Sequence, residues 1–121
     1  PYDKIVVAGF SQGGAIALHL ALRFAQRLGG VMALSTWLPL AASLQTEVVD
    51  NQQAQSRDLP FFQAHGQFDP VLPISLGEES RVRLTDMGYS VEWHDYPMEH
   101  SVCAEEIADI RSWLLGVYAP S

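Results

Sequence analysis

Cysteine and positive charge are the two scarcities of this 121-residue chain, which has one Cys and seven Lys and Arg. Cys103 alone cannot close an internal disulfide, which excludes a disulfide-stapled scaffold and fits a reducing compartment. A cytoplasmic location is the matching expectation. The basic residues are scattered and outnumbered by fourteen Asp and Glu, for a net charge of −7. Nucleic acids and anionic membrane surfaces are bound through clustered Lys and Arg, so neither is expected as a partner. Long apolar runs are also missing. None approaches the ~20 residues of a membrane-spanning helix, and no segment has the basic start, apolar middle and small-residue cleavage site of a signal peptide. The four histidines, at 19, 65, 94 and 100, form no i, i+4 pair, and no Cys/His cluster has metal-ligand spacing. Neither metal nor cofactor is expected.

Apolar residues make up 48% of the chain and charged residues 17%, the balance of one soluble globular domain over 1–121. A domain of this size buries roughly two thirds of its unfolded surface, enough for one core. Residues 4–9, "KIVVAG", form a short β-branched run ending at Gly, as in a strand buried on both faces of a parallel sheet. Residues 12–27, rich in Ala and Leu, predict a deeply buried helix stopped by Gly29 and Gly30. "GVMALSTW" predicts a second strand over 30–37. Residues 41–58 are mixed and polar, consistent with a short helix and loop. "LPFFQAHG" predicts a third strand ended by Gly66, followed by a helix over 74–87 with Gly88 just past its end. "SVEWHDYP" predicts a fourth strand, and 104–117 a last helix. Its expected apolar stripe is Ile107, Ile110, Leu114 and Val117, with Glu105 and Glu106 at the favourable N-terminal end. Four alternations of strand and helix predict an α/β fold of about four parallel strands with flanking helices.

"GFSQG", Gly9 to Gly13, fits G-x-S-x-G between a strand and a helix. In that setting the serine occupies a tight strand-to-helix turn, and the glycines remove side chains that would clash. The hydroxyl of Ser11 then stands above the strand ends, where open α/β sheets bind ligands. The backbone N–H of Gln12, at a helix N-terminus, suits an oxyanion. A capping serine in a Gly-rich turn is the plainer alternative. A serine nucleophile needs a base, usually His oriented by a carboxylate. Asp69 falls in the loop after the third strand, in "HGQFDPVLP", and His100 in the loop after the fourth, in "YPMEHSV". Both loops leave the strand ends that carry Ser11. His94 and Asp95 fall inside a strand, His65 ends one and is better suited to supporting the Asp69 loop, and His19 is mid-helix. Asp58 and Asp86 belong to the wrong side of the sheet. Ser11, Asp69 and His100 are therefore the expected catalytic residues.

"AGFSQGGAIAL", "LSTWLPL", "HGQFDPVLP" and "YPMEHSVCAEEI" together resemble the phospholipase/carboxylesterase family, which includes bacterial carboxylesterases and acyl-protein thioesterases. The resemblance covers nearly all the chain. It implies an α/β-hydrolase fold with Ser11 as nucleophile, Asp69 as orienting acid and His100 as base. It also implies Trp37, Leu38 and Val71 as acyl-pocket residues. Two departures accompany it. Similar proteins usually have Gly before the catalytic His, where this chain has Glu99, a carboxylate able to shift the base or compete with Asp69. They also carry about a hundred further residues before the serine strand, including a loop that gives a second oxyanion N–H. The chain thus matches the C-terminal half of that fold.

The expected activity is hydrolysis of short-chain acyl esters, with thioesters and lysophospholipids as further substrates to consider. A peptidase using the same three residues is a further alternative. The rival of another class is a weakly active or non-catalytic half-fold kept for interaction. The first strand, Ile5 to Ala8, would lie at a sheet edge, and an apolar edge with unpaired backbone groups is a pairing template. A homodimer through that edge is expected, or else a separately supplied N-terminal half.

Overall fold

The computed structural model describes residues 1–24, 26–39 and 59–119. The expected short helix and loop at 41–58, with Asp58, lie outside the described residues. After a 3-10 turn at Tyr2–Lys4 come β1 (Val6–Phe10), α1 (Gln12–Arg23) and β2 (Gly30–Leu34). They are followed by β3 (Phe61–Gly66), α2 (Ile74–Asp86), β4 (Val91–Tyr96) and α3 (Ala104–Val117). The described strands form one sheet in the order β1-β2-β3-β4, and every pairing is parallel.

Alternation along the strands divides the core into two layers. Val31, Ala33 and Phe61 face one side, where they pack with Leu18, Ala21 and Leu22 of α1 and Leu84 of α2. Met32, Phe62 and Ala64 face the other, packing with Tyr96 and with Trp113 of α3. Helices therefore cover both faces, which is why these strands read as continuous apolar runs rather than alternating ones.

Several boundaries differ from the sequence expectation, each for a local reason. α1 stops at Arg23 rather than continuing to 27. Phe24 turns extended, at φ −70° and ψ 134°, and its ring meets Tyr2 edge-on at 5.1 Å. Packing of this one aromatic ring outweighs local helix propensity. β2 ends at Leu34 instead of 37 because Ser35 takes a positive φ of 50°. The end of α2 obeys its Gly88 signal. Gly88 sits at φ 96°, its N–H bonds Thr85 O at 3.0 Å, and Tyr89 N–H bonds Leu84 O at 3.1 Å. Those two bonds, with Leu84 and Tyr89 in one core cluster, make a Schellman cap.

The face of α3 is also rotated from the predicted stripe. Ile110, Leu114 and Val117 do pack on the sheet, but Ile107 is 58% exposed while Glu106 and Trp113 are buried. Glu106 is thus buried at the helix N-terminus rather than exposed there. Burial pushes its carboxyl up to about 7, with only partial relief from the Cys103 backbone amide, and neither oxygen makes a well-formed hydrogen bond among the described residues.

Candidate active site

The sheet ladder runs on past the strands into the loops that follow β1, β2 and β3. Ser11 N–H bonds Leu34 O at 2.8 Å, Ser35 N–H bonds Ala64 O at 2.8 Å, and Gln67 N–H bonds Tyr96 O at 2.8 Å. Parallel pairing thus sets the three loops side by side at one sheet edge, the C-terminal ends of the strands.

Ser11 alone makes the turn from β1 to α1, at φ 57° and ψ −125°. A non-glycine residue there costs on the order of 1–3 kcal/mol and persists only when its surroundings hold it. They do so at both of its backbone groups. Its N–H is bound to Leu34, and its carbonyl accepts Gly14 N–H at 2.9 Å and the Thr36 hydroxyl at 2.6 Å. The turn is also tight enough to demand glycine. A Cβ on Gly9 would lie 2.2 Å from Gly13 O, and one on Gly14 would lie 2.7 Å from Thr36 Cγ2. A Cβ on Gly13 would meet nothing within 4 Å. Thr36 carries no signal of this role in the sequence, because a β-branched residue in "LSTW" reads as one more strand position.

His100 Nε2 lies 2.9 Å from Ser11 Oγ, and its Nδ1 lies 2.6 Å from Asp69 Oδ2. A carboxylate only accepts, so Nδ1 carries the proton, and the neutral ring leaves Nε2 free to accept the serine O–H. Phe10 packs against the imidazole, ring centres 4.9 Å apart. The Asp69 side chain is fully buried. Burial alone would raise its pKa, yet the group is held below the usual carboxylate value by the Leu72 amide, the His100 ring and the Val71 amide. Those amides reach Asp69 Oδ1 at 2.8 and 2.9 Å. The two oxygens divide the work: Oδ1 closes its own loop and Oδ2 orients the histidine.

Gln12 is the first residue of α1, so its N–H has no partner within the helix. It follows directly on Ser11 in the chain. An open apolar cavity of about 260 Å³ lies beside it, lined by Gln12, Ala15, Ile16, His19, Trp37 and Pro39. Trp37 of the three expected pocket residues is therefore on this cavity. Leu38 instead belongs to the buried core, with its N–H donated to Ser80 Oγ at 2.7 Å. Val71 is 64% exposed and meets the site through its backbone bond to Asp69. The histidine and aspartate set aside on strand β4 have other partners. His94 sits 2.9 Å from Glu92, and Asp95 accepts Gln67 and Trp93. Among the described residues no group of three or more His, Cys, Asp or Glu is placed to hold a metal ion.

Residues 1–117 match the family model described as Phospholipase/Carboxylesterase. The chain is similar to acyl-protein thioesterase 1 of Mycosarcoma maydis, with 44% identity over 94% of this chain and 48% of that protein. It is 42% identical to acyl-protein thioesterase 1 of Neurospora crassa, over 94% of this chain and 46% of that one. Among solved structures, Arabidopsis thaliana SOBER1 superposes with a TM-score of 0.87 at 27% identity, over 97% of this chain and 54% of that one. Zea mays acyl-protein thioesterase 2 gives 0.81 at 28% identity, over 94% and 56%. The chain spans about half the length of the relatives it matches.

Proposed function

The chain belongs to the phospholipase/carboxylesterase family, an α/β-hydrolase family, and from that membership we propose that it carries the reacting half of a serine hydrolase for short-chain acyl esters. The observation behind this reading is the unbroken hydrogen-bonded chain from Ser11 Oγ through His100 to Asp69 Oδ2. Three residues separated in sequence by 58 and 31 positions would not fall into that order for packing alone.

In the proposed reaction His100 Nε2 takes the Ser11 proton as Oγ bonds to the acyl carbon. Asp69 holds the proton on Nδ1 and stabilises the imidazolium that forms. The Gln12 N–H donates to the oxyanion of the tetrahedral intermediate. Collapse breaks the bond to the alcohol oxygen, which takes the proton from Nε2. Water then attacks the acyl-serine with His100 as base, releasing the acid and restoring Ser11. Trp37 and its apolar cavity suit a small acyl chain. Gln12 is one oxyanion donor, and a site deprived of one donor typically loses about 10²–10³ in rate. Glu99 precedes the base in sequence, but it is Asp69 Oδ2, 2.6 Å away, that holds Nδ1.

Thioester cleavage is the second reading, favoured by the name acyl-protein thioesterase on its relatives. The test is hydrolysis of p-nitrophenyl butyrate and of a butyryl thioester by the purified chain, each beside Ser11→Ala. Turnover of the ester that vanishes in Ser11→Ala is the expected result. Equal rates for parent and mutant would sink the proposal, and preference for the thioester would select the second reading.

A further inference from the structure

The last two residues of β3 touch both of the loops that hold Asp69 and His100, and neither reacts. His65 is 1% exposed, and its Nε2 lies 2.7 Å from the Leu72 carbonyl oxygen. A carbonyl only accepts, so Nε2 bears a proton and donates it. Leu72 is at the same time one of the two residues whose amides bind Asp69 Oδ1. The turn from 69 to 72 is thus fastened twice through Leu72, by its N–H to the carboxylate and by its C=O to His65. The His65 Nε2 to Asp69 Oδ2 distance is 3.6 Å, too long for a hydrogen bond, so Oδ2 is left to His100. His65 acts on Asp69 through the loop and does not compete for its oxygen.

Gly66 does the corresponding work for the base. A Cβ there would lie 2.2 Å from Glu99 O and 2.4 Å from Met98 O, both backbone atoms. The segment just before His100 therefore rests directly on Gly66, tied further by Phe68 N–H to Met98 O at 3.1 Å. Any side chain at 66 would lift that segment and His100 with it. A third position extends the network to a helix. A Cβ on Gly77 of α2 would stand 2.7 Å from His65 Nδ1, so the absence of a side chain at 77 lets the ring reach Leu72.

We propose that His65 and Gly66, with Gly77 behind them, are positioning residues that set Asp69 and His100 against each other. This rests on the reading of Ser11, His100 and Asp69 as one catalytic unit. The placement they govern is stringent, because a misplacement near 1 Å costs on the order of 10²-fold in rate.

Three measurements test it. Long-range ¹H–¹⁵N correlation on the unmodified chain should find His65 protonated at Nε2, and a proton on Nδ1 alone would overturn the proposal. Next, the low-field Nδ1–H signal of His100, which reports its bond to Asp69 without any turnover, is monitored in His65→Leu, His65→Gln and Gly77→Ala. The signal should move or vanish in His65→Leu and Gly77→Ala, and return in part in His65→Gln, whose amide can still donate. Finally, p-nitrophenyl butyrate hydrolysis should show kcat down by roughly 10²-fold in His65→Leu with KM little changed. Gly77→Ala is the informative variant if His65→Leu fails to fold, since alanine favours the helix it sits in. An unshifted His100 proton and an unchanged kcat in either folded variant would remove the proposal. The two readings fail separately: a parent no faster than Ser11→Ala ends the esterase reading, while the proton signals still decide the roles of His65 and Gly77.

Discussion

Single residues in this chain carry energies that a pH titration can separate. Glu106 is fully buried, and its carboxyl is pushed from the ordinary 4.5 up to about 7 by desolvation. The folded state therefore holds that proton more tightly than the unfolded chain. Its contribution to stability is complete below pH 4.5, is lost as pH rises through about 7, and is flat beyond. The span corresponds to roughly 3 kcal/mol. Asp69 acts in the opposite sense, because its folded pKa is depressed. It stabilises the fold above the ordinary 3.8 and loses that contribution as pH falls through its lower folded value. Together the two groups draw the stability optimum toward mildly acid pH. Glu106→Gln keeps the shape without the charge, so urea unfolding at pH 8 should show it more stable than the parent by up to about 3 kcal/mol, with the difference gone at pH 4. A parent and mutant with parallel pH profiles would show that Glu106 is not the titrating group. The two glycines of the "GFSQG" motif also divide. Gly9→Ala drives a Cβ into the Gly13 carbonyl and should cost more than about 3 kcal/mol or prevent folding. Gly13→Ala enters open space at a helical position and should change stability by less than about 1 kcal/mol. Denaturation midpoints of the two variants would show the asymmetry directly.

Among the elements, legibility depends on how local each cause is. The α2 stop is readable because Gly88 is required by its own φ of 96°. The strands are readable because burial on both faces leaves an apolar run. The end of α1 is not, since Phe24 leaves the helix to pack beside Tyr2, a contact across twenty-two residues. The candidate triad can be assembled from order and from which strand ends bear each loop, and the geometry then sets its atoms within 2.9 Å or less. Thr36 and the work of Gly66 are illegible for a different reason. Each matters through a backbone group of another loop, and a backbone leaves no mark in the residue alphabet. Leu38 shows the converse, an apolar residue beside the site that serves the core. The rotated face of α3 gives the test at this scale. Trp113, 8% exposed, fills the space between α3 and Phe62, their ring centres 5.6 Å apart. Trp113→Ala should cost about 3–5 kcal/mol, while Ile107→Ala should stay within about 0.5 kcal/mol. Equal losses at the two positions would return Ile107 to the buried stripe.

At the scale of the whole molecule, the described residues cover the sheet on both faces but not along β1. Among the described residues β1 pairs only with β2. Ile5, Ile16 and Leu20 are 47%, 61% and 53% exposed near that edge and on α1. Isolated exposed apolar residues are ordinary, whereas an apolar helix face beside an unpaired strand is a surface that associates. We propose that in the isolated chain this surface is covered by a second copy, the two β1 edges meeting about a two-fold axis. The alternative cover is the remaining half of a full-length hydrolase, given that the chain spans about half of each relative it matches. The two occupants predict different behaviour. Self-pairing gives a solution mass near twice 13.4 kDa that falls to the single value in Ile16→Lys with Leu20→Lys, whose charges would be buried unpaired in the dimer. A complementary half would convert the dimer into a one-to-one complex when added, and would raise ester turnover by as much as about 10³-fold if it brings the second oxyanion donor. A chain that stays monodisperse at the single mass across micromolar concentrations would eliminate the dimer, leaving β1 as an edge that only the other half completes.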